Sequence, residues 1–396
     1  MERQRLRPQV ILLGLVSLLN DSASEMIYPL LPVFLTSTLG ATPLIVGIIE
    51  GTADALSSIL KLAAGWLSDH LPRRKPLIVG GYALATISRA WISVAGRWPS
   101  VLSARLLDRT GKGIRSAPRD AMIADVTPLE SRGKAFGFHR ALDHTGAVVG
   151  PLLAILFLNA MHLPMRTVFM IAVIPGAIGV VLLIIALREV PRVGPAPSPA
   201  GAAEGGDATL SPPFYYALAC IALFSLANSS DVYLLLQAHA AGVATGMLPV
   251  LWAAHHVIKS LFSTQAGARS DTMDRRNQLA LGWAIYALIY LAFPFARSMW
   301  LFVVLFVVYS IPFTLTEGAE RAWIGDLVPA ELRGRSFGLY YLATGLFVLA
   351  GTAIFGVLYQ SVSPRAAFFT GAGIALAAAL AVIAGKGRTM PQPAAR

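Results

Sequence analysis

Near the middle of the first long apolar run of this 396-residue sequence, two carboxylates stand one helical turn apart, Asp21 and Glu25, with Asn20 beside them. Acids crowded on one helical face in a low-dielectric setting do not both stay ionised without bases close by, so the pair reads as a proton or cation site. The structural alternative is an ion pair with a base from another helix. Downstream, Arg105, Asp108, Arg109, Lys112, Arg115, Arg119 and Asp120 recur mostly at three- and four-residue spacing, a charged stripe about 20 Å long on a helix. It can bind an anionic group, or pair internally with Asp21, Glu25, Glu50, Asp54 and Asp143. Arg109 and Lys112 fall nearest the middle and are candidates for substrate contact, and Asp54 and Asp143 join Asp21 and Glu25 as candidate proton carriers. His139, Arg140, Asp143 and His144 make a third group, in which Arg140 can reach Asp143 or His144 on the next turn. A histidine beside a carboxylate can relay protons or simply pack. His255, His256 and Lys259 cluster in another run, with Asn228, Asp231 and Gln237 in the run before it. One Asp and two His could hold a divalent ion, but adjacent histidines point about 100° apart around a helix, and no metal ligand set or cofactor is assigned.

The elements that must position these residues follow from composition. Of the residues, 56% are apolar and 13% charged, against about 25% charged in a soluble domain, which excludes an ordinary soluble enzyme and places the chain in a lipid bilayer. Apolar runs of membrane-spanning length predict helices over 10–36, 44–69, 76–96, 99–124, 133–158 and 164–188, and over 213–238, 245–269, 277–297, 298–322, 334–360 and 364–385. Between the sets, 189–212 is rich in Pro, Ala, Gly and Ser, a composition that reads as a flexible linker. It divides the chain into an N-terminal bundle (1–188) and a C-terminal bundle (213–396). The N-terminal run lacks a small-residue cleavage site and carries Asn20, Asp21 and Glu25, so it reads as a retained helix rather than a signal peptide. Cys220 is the single cysteine, so no intramolecular disulfide forms.

Net charge is +11, which in a soluble protein suggests nucleic acid. Here 18 of the 32 basic residues fall in the segments on the side of the N-terminus, 4 in the opposite loops and 10 within spans. By the positive-inside rule both termini are cytoplasmic, and the excess charge is mostly a topology signal rather than a nucleic-acid site.

The halves repeat each other. Asp125-Val-Thr-Pro-Leu-Glu-Ser-Arg-Gly-Lys-Ala-Phe-Gly137 returns as Asp326-Leu-Val-Pro-Ala-Glu-Leu-Arg-Gly-Arg-Ser-Phe-Gly338, and Gly65-Trp-Leu-Ser-Asp69 with Arg73 and Arg74 returns as Gly267-Ala-Arg-Ser-Asp271 with Arg275 and Arg276. Ser17-Leu-Leu-Asn20 returns as Ser225-Leu-Ala-Asn228. Such parallel repeats favour a cavity between two bundles at mid-membrane. At these residues the sequence resembles the major facilitator superfamily over its whole length. Gly65, Leu67, Asp69, Arg73 and Arg74 are similar to its GxLxDRxGRR loop motif, with His70 and Pro72 departing from it. Gly146, Gly150 and Pro151 are similar to the GxxxGP motif of antiporter-type exporters, and Arg109, Lys112 and Gly113 resemble its RxxQG element with Lys in place of Gln. A bare GxxxG also serves close helix packing. The resemblance implies an all-α membrane protein of twelve transmembrane helices in two pseudo-symmetric six-helix bundles, the third helix of each three-helix unit facing lipid.

Leaving aside the residues at the span ends, which count with the loops, twenty charged residues fall within the spans, ten acidic and ten basic, with none inside helices 6, 9 and 12 and only Arg89 inside helix 3. Buried charge is costly in a membrane and marks a cavity or a partner. Asp69, Arg73 and Arg74 at the first loop motif are expected to act in conformational change. Arg119-Asp120 corresponds through the repeat to Glu320-Arg321 with the charges reversed, as a pair of cross-bundle gating bridges requires. The function expected is secondary active transport by alternating access: proton-coupled efflux of a small solute, such as a cationic drug or metal ion, by a monomer in a bacterial inner membrane. An organic anion bound by the helix 4 bases is the alternative, and a membrane-embedded enzyme a further one. No Walker A or HExxH pattern is present.

Overall fold

The computed structural model describes residues 6–41, 43–189, 209–229, 234 and 248–385. They form helices that group into twelve elements: α1 (Pro8–Ile27, continued by Leu31–Val33 and the wide turn Phe34–Thr38), α2 (Pro43–His70), α3 (Lys75–Val94), α4 (Trp98–Val126), α5 (Arg132–Ile155), α6 (Met165–Ile171 and Val173–Ala186), α7 (Pro212–Ala227), α8 (Leu248–Thr272), α9 (Arg275–Ala292), α10 (Met299–Val308 and Ser310–Asp326), α11 (Arg333–Ser361) and α12 (Pro364–Ala384). Eight elements are long and apolar enough to cross a membrane. α2, α4 and α8 have the length but are interrupted by charged and polar residues, and α7 is described over sixteen residues.

Proline explains where three helices depart from continuous spans. Pro29 interrupts α1 at Tyr28–Leu30, inside the run expected to be one helix. In α6 and α10 the breaks fall at Ala172 and Tyr309, each three residues before a proline, Pro175 and Pro312. A proline has no N–H to give the carbonyl four residues back and its ring crowds that carbonyl, so the ladder loosens there. α4 and α5 run on through Pro118 and Pro151.

α1 packs on α5 and α6, α2 on α4, and α3 on α4 and α6; α9 packs on α10 and α12, and α7 on α11 and α12. The two halves meet chiefly along α2 with α11 and α5 with α8. The peripheral helices expose apolar rows, as with Ile174, Ile178, Val181 and Ile185 on α6, the last 77% exposed. Isoleucine so exposed suits contact with acyl chains rather than water.

The face where α1 begins and α6 ends is called here the terminal face. Glu189, first residue of the expected linker, is docked there, its carboxylate accepting from the Arg74 and Lys75 backbone N–H groups at 2.8 and 3.0 Å. An anion caps the exposed donors at the start of α3 in this way. Residues 190–208 lie outside the described residues.

Candidate functional site

At the terminal face the repeated loops build the same device twice. Asp69, at the end of α2, accepts from the backbone N–H groups of Gly334 and Arg335 at 2.8 and 2.6 Å, at the start of α11 in the other half. Arg74 lies 3.2 Å from Asp69 and 3.5 Å from Asp125, and Arg333 reaches across to Asp125 at 2.6 Å. Through the repeat, Asp271 accepts from Gly133 and Lys134 N–H at 2.7 and 2.8 Å, Arg275 joins Asp271 (3.0 Å) to Asp326 (2.7 Å), and Arg132 crosses to Asp326 at 2.9 Å. Each aspartate sits on the positive end of a helix from the opposite half. Glycines allow the approach: a Cβ on Gly65 would stand 2.3 Å from the Gly334 carbonyl oxygen, and one on Gly267 2.1 Å from that of Gly133. Arg74 is buried, whereas Arg73, the other expected arginine, is exposed.

Farther in, Asp120 is fully buried and meets Arg119 at 3.0 Å and, across the halves, Arg321 at 3.5 Å, and it accepts from the Tyr341 hydroxyl. One of the two expected cross-bundle bridges, Asp120 with Arg321, is therefore present. Arg119 and Glu320 are not joined: Arg119 points to Asp120 and Tyr82, and Glu320 accepts from Tyr340 at 3.1 Å within its own half. Both pairs lie buried among helices rather than at a membrane edge.

At mid-span a single carboxylate, Glu317 on α10, gathers the centre of the molecule. Its Oε2 takes the Arg140 guanidinium and lies 3.2 Å from His144 Nε2, while Oε1 lies 2.7 Å from Lys259 Nζ. Arg140 also meets Asp143 at 2.7 Å, and Asp143 accepts from Ser17 on α1. His144 and His256 face each other across the halves, Nδ1 to Nδ1 at 3.1 Å, so one of the two nitrogens carries the shared proton. His255 turns away into a cage of Trp252, Phe306, Tyr309 and Phe313, its ring at 88° to that of His256. Among the described residues no three His, Cys, Asp or Glu side chains converge to hold a metal ion. The described ion pairs and hydrogen bonds between the halves run from the terminal face up to this level, and none is described beyond it.

On the side away from the terminal face, the α1 acids stand against α4 and α5. Gly146 and Gly150 bring the α5 backbone onto them: a Cβ would stand 2.9 Å from Asp21 Cβ at the first and 2.7 Å from Glu25 Cβ at the second. Asp21 accepts from Asn20 at 2.9 Å. On α4, Asp108 holds Arg105 at 3.4 Å and Arg109 at 3.8 Å, and Arg115 lies over the Tyr82 ring. Lys112 is exposed although it sits mid-helix. Among the carboxylates described within the spans, Asp21, Glu25 and Glu320 have no basic nitrogen within 4 Å; the others all do. The α1 pair is thus not locked in an ion pair.

Asn228 caps the end of α7, and its neighbour Ser229 bonds Tyr290. Asp231 lies outside the described residues, and Asp54 is placed on α2 without a description of its side chain. Sequence spacing did not single out Glu317, Ser17 or Tyr341. Glu317 was legible only as one more charge on its helix, since its partners come from α5 and α8.

A family model described as Major Facilitator Superfamily matches residues 13–254 and 237–395. The chain is 30% identical over 389 residues, 96% of this chain and 95% of the other, to the uncharacterized MFS-type transporter MJ1317 of Methanocaldococcus jannaschii. Among solved structures it is similar to the human organic anion transporter MFSD10 (TETRAN), with a TM-score of 0.75 at 16% identity over 95% of this chain and all of that one. It is also similar to a bacterial homologue of the iron transporter ferroportin in an outward-facing state, with a TM-score of 0.71 at 15% identity over 96% of this chain and all of that one.

Proposed function

The chain belongs to the Major Facilitator Superfamily and is a transporter, and we propose that it exports a small solute in exchange for protons by alternating access. The observation that carries this reading is the α1 pair: Asp21 and Glu25 stand mid-span, partly exposed, with no base within 4 Å, while Arg105 and Arg109 of α4 and Arg140 of α5 are matched to other carboxylates. An acid held in low dielectric without a counter-ion gains stability by taking a proton or a cationic substrate, and one that can do either is an exchanger. The closed terminal face, taken as cytoplasmic from its basic residues, supports reading this arrangement as outward-facing. Gly146 and Gly150 let α5 pack directly on the α1 acids, which supports the exporter reading of their motif. Proteins of the same fold at 15 to 16% identity lend architecture and no substrate. A lipophilic cation suits the unpaired acids; exposed Lys112 favours an organic anion as the second reading.

Counterflow in proteoliposomes with tetraphenylphosphonium, manganese(II) and p-aminohippurate, each with and without a pH gradient, tests both readings. Asp21→Asn or Glu25→Gln is expected to abolish pH-driven uphill transport while sparing some exchange of the transported probe. Normal uphill transport in both variants would remove α1 as the coupling site, and transport of p-aminohippurate alone would favour the anion reading.

A further inference from the structure

Arg89, the one charge in the interior of α3, does not face lipid. It is 3% exposed, and its one described hydrogen bond runs from Nη2 to Asn20 Oδ1 at 2.8 Å. Its Nε and Nη1 meet no partner. Gly176 on α6 leaves the space it occupies: a Cβ there would stand 3.0 Å from Arg89 Nη1. A guanidinium only donates, so the Asn20 amide must turn its oxygen to Arg89 and its NH2 the other way. That NH2 donates to Asp21 Oδ1 at 2.9 Å. The cation behind the amide fixes an orientation that an isolated asparagine leaves open. At the corresponding place in the second half, at the repeat offset of 201, stands Tyr290, which bonds Ser229. Only the first half carries a chain of cation, amide and carboxylate at this place.

We propose that Arg89 is a positioning residue for proton exchange at Asp21: acting through Asn20, it holds a permanent N–H donor on the carboxylate and so favours release of its proton to the cavity. The assignment rests on Asp21 being the exchanging acid of the preceding section. Other charges also act on Asp21, namely Glu25 on its own helix, Lys112 and Arg115 on α4, and Asp143 on α5. The charge on α6, Arg166, sits instead against Ser93 and the Phe34 ring. These groups act through space and are the same in every variant below, so an effect that disappears with Asn20 belongs to the chain.

Infrared titration of the purified full-length protein reads Asp21 without any substrate, as the protonated-carboxyl band that Asp21→Asn removes. Arg89→Met is expected to move the loss of that band to higher pH by about one unit, Asn20→Ala by a similar amount, and the double variant no further than the larger single effect. Arg89→Lys, which keeps the charge but not the planar fork, should fall between. Unchanged midpoints in Arg89→Met and Asn20→Ala, additive shifts in the double variant, or no Asp21 band titrating between roughly pH 4 and 10 would each overturn the proposal. Should Arg89→Met not fold, Arg89→Lys and Asn20→Ala decide it, and a midpoint that moves in neither overturns it. The infrared shift does not depend on Asp21 driving transport. Retained uphill transport in Asp21→Asn with the shift present would sink the coupling reading and leave the chain standing; lost coupling with no shift would do the reverse.

Discussion

Glu317 shares one carboxylate among Arg140, Lys259 and His144, and two of those partners lie in the other half of the chain. A buried anion between two cations stabilises whichever arrangement brings them together, here the one closed at the terminal face. Removing one member of a buried charge cluster costs more than the cluster contributes, because like charges are left facing each other. Glu317→Gln is therefore expected to lower thermal stability, open the terminal side and cut turnover at least about tenfold, the equivalent of ~1.4 kcal/mol. Adding Lys259→Met should recover part of the stability, since it removes a cation that has lost this carboxylate. Thermal unfolding and cysteine accessibility at the terminal face measure both effects, and wild-type behaviour in Glu317→Gln would refute the shared role. The centrality of this residue was not legible in the sequence. Helical spacing speaks for positions three and four apart, which is why Arg140 with Asp143 could be read, whereas Arg140 and Glu317 are 177 positions apart. Arg119 shows the same limit: the repeat placed it opposite Glu320, but the adjacent Asp120 holds it.

Among the elements, α5 does most to shape the site, through the two glycines on its α1 face. A side chain at Gly150 would begin 2.6 Å from the Ser22 carbonyl oxygen and 2.7 Å from Glu25 Cβ, so helix α1 would have to move away and take Asp21 and Glu25 with it. Overpacking of this kind costs about 1 to 3 kcal/mol. Gly150→Leu is expected to impair pH-driven transport more than Gly80→Leu, a control at an open site on α3, and equal effects would show that α5 does not set the position of the acids. The motif glycines were legible as a close-packing or exporter signal, and the structure shows what they approach. The breaks in α6 and α10 were not legible, because the apolar run continues unbroken past Pro175 and Pro312 and hydropathy carries no term for a missing N–H. The α1 break at Tyr28–Leu30 lies in an equally apolar run and was no more legible.

For the whole molecule, the internal repeat is the feature that sequence exposed most fully, since the same residues recur at offsets of 201 and 202 and build the same contacts. What repetition in sequence could not give is that each copy closes on the other half: Asp69 on the start of α11 and Asp271 on the start of α5. Two equivalent latches on one interface act on a single equilibrium between closed and open terminal faces. Replacing either aspartate by asparagine removes the charge and one of its two accepting oxygens. Hydrogen bonds to a charged group contribute about 1.5 to 3 kcal/mol, so each substitution should shift the open-to-closed ratio roughly tenfold or more. The latches share no residue, so their free energies should add, and Asp69→Asn with Asp271→Asn should shift the ratio by the product of the single effects, about a hundredfold. Spin labels at Glu130 and Glu331, exposed and equivalent in the two halves, report that ratio as a distance distribution across the terminal face. Equal weight for the two single variants would show that the twofold likeness extends to energy, whereas a double variant no more open than either single one would mean that the two aspartates do not act on a shared equilibrium and that the packing of α2 on α11 and α5 on α8 holds the face closed.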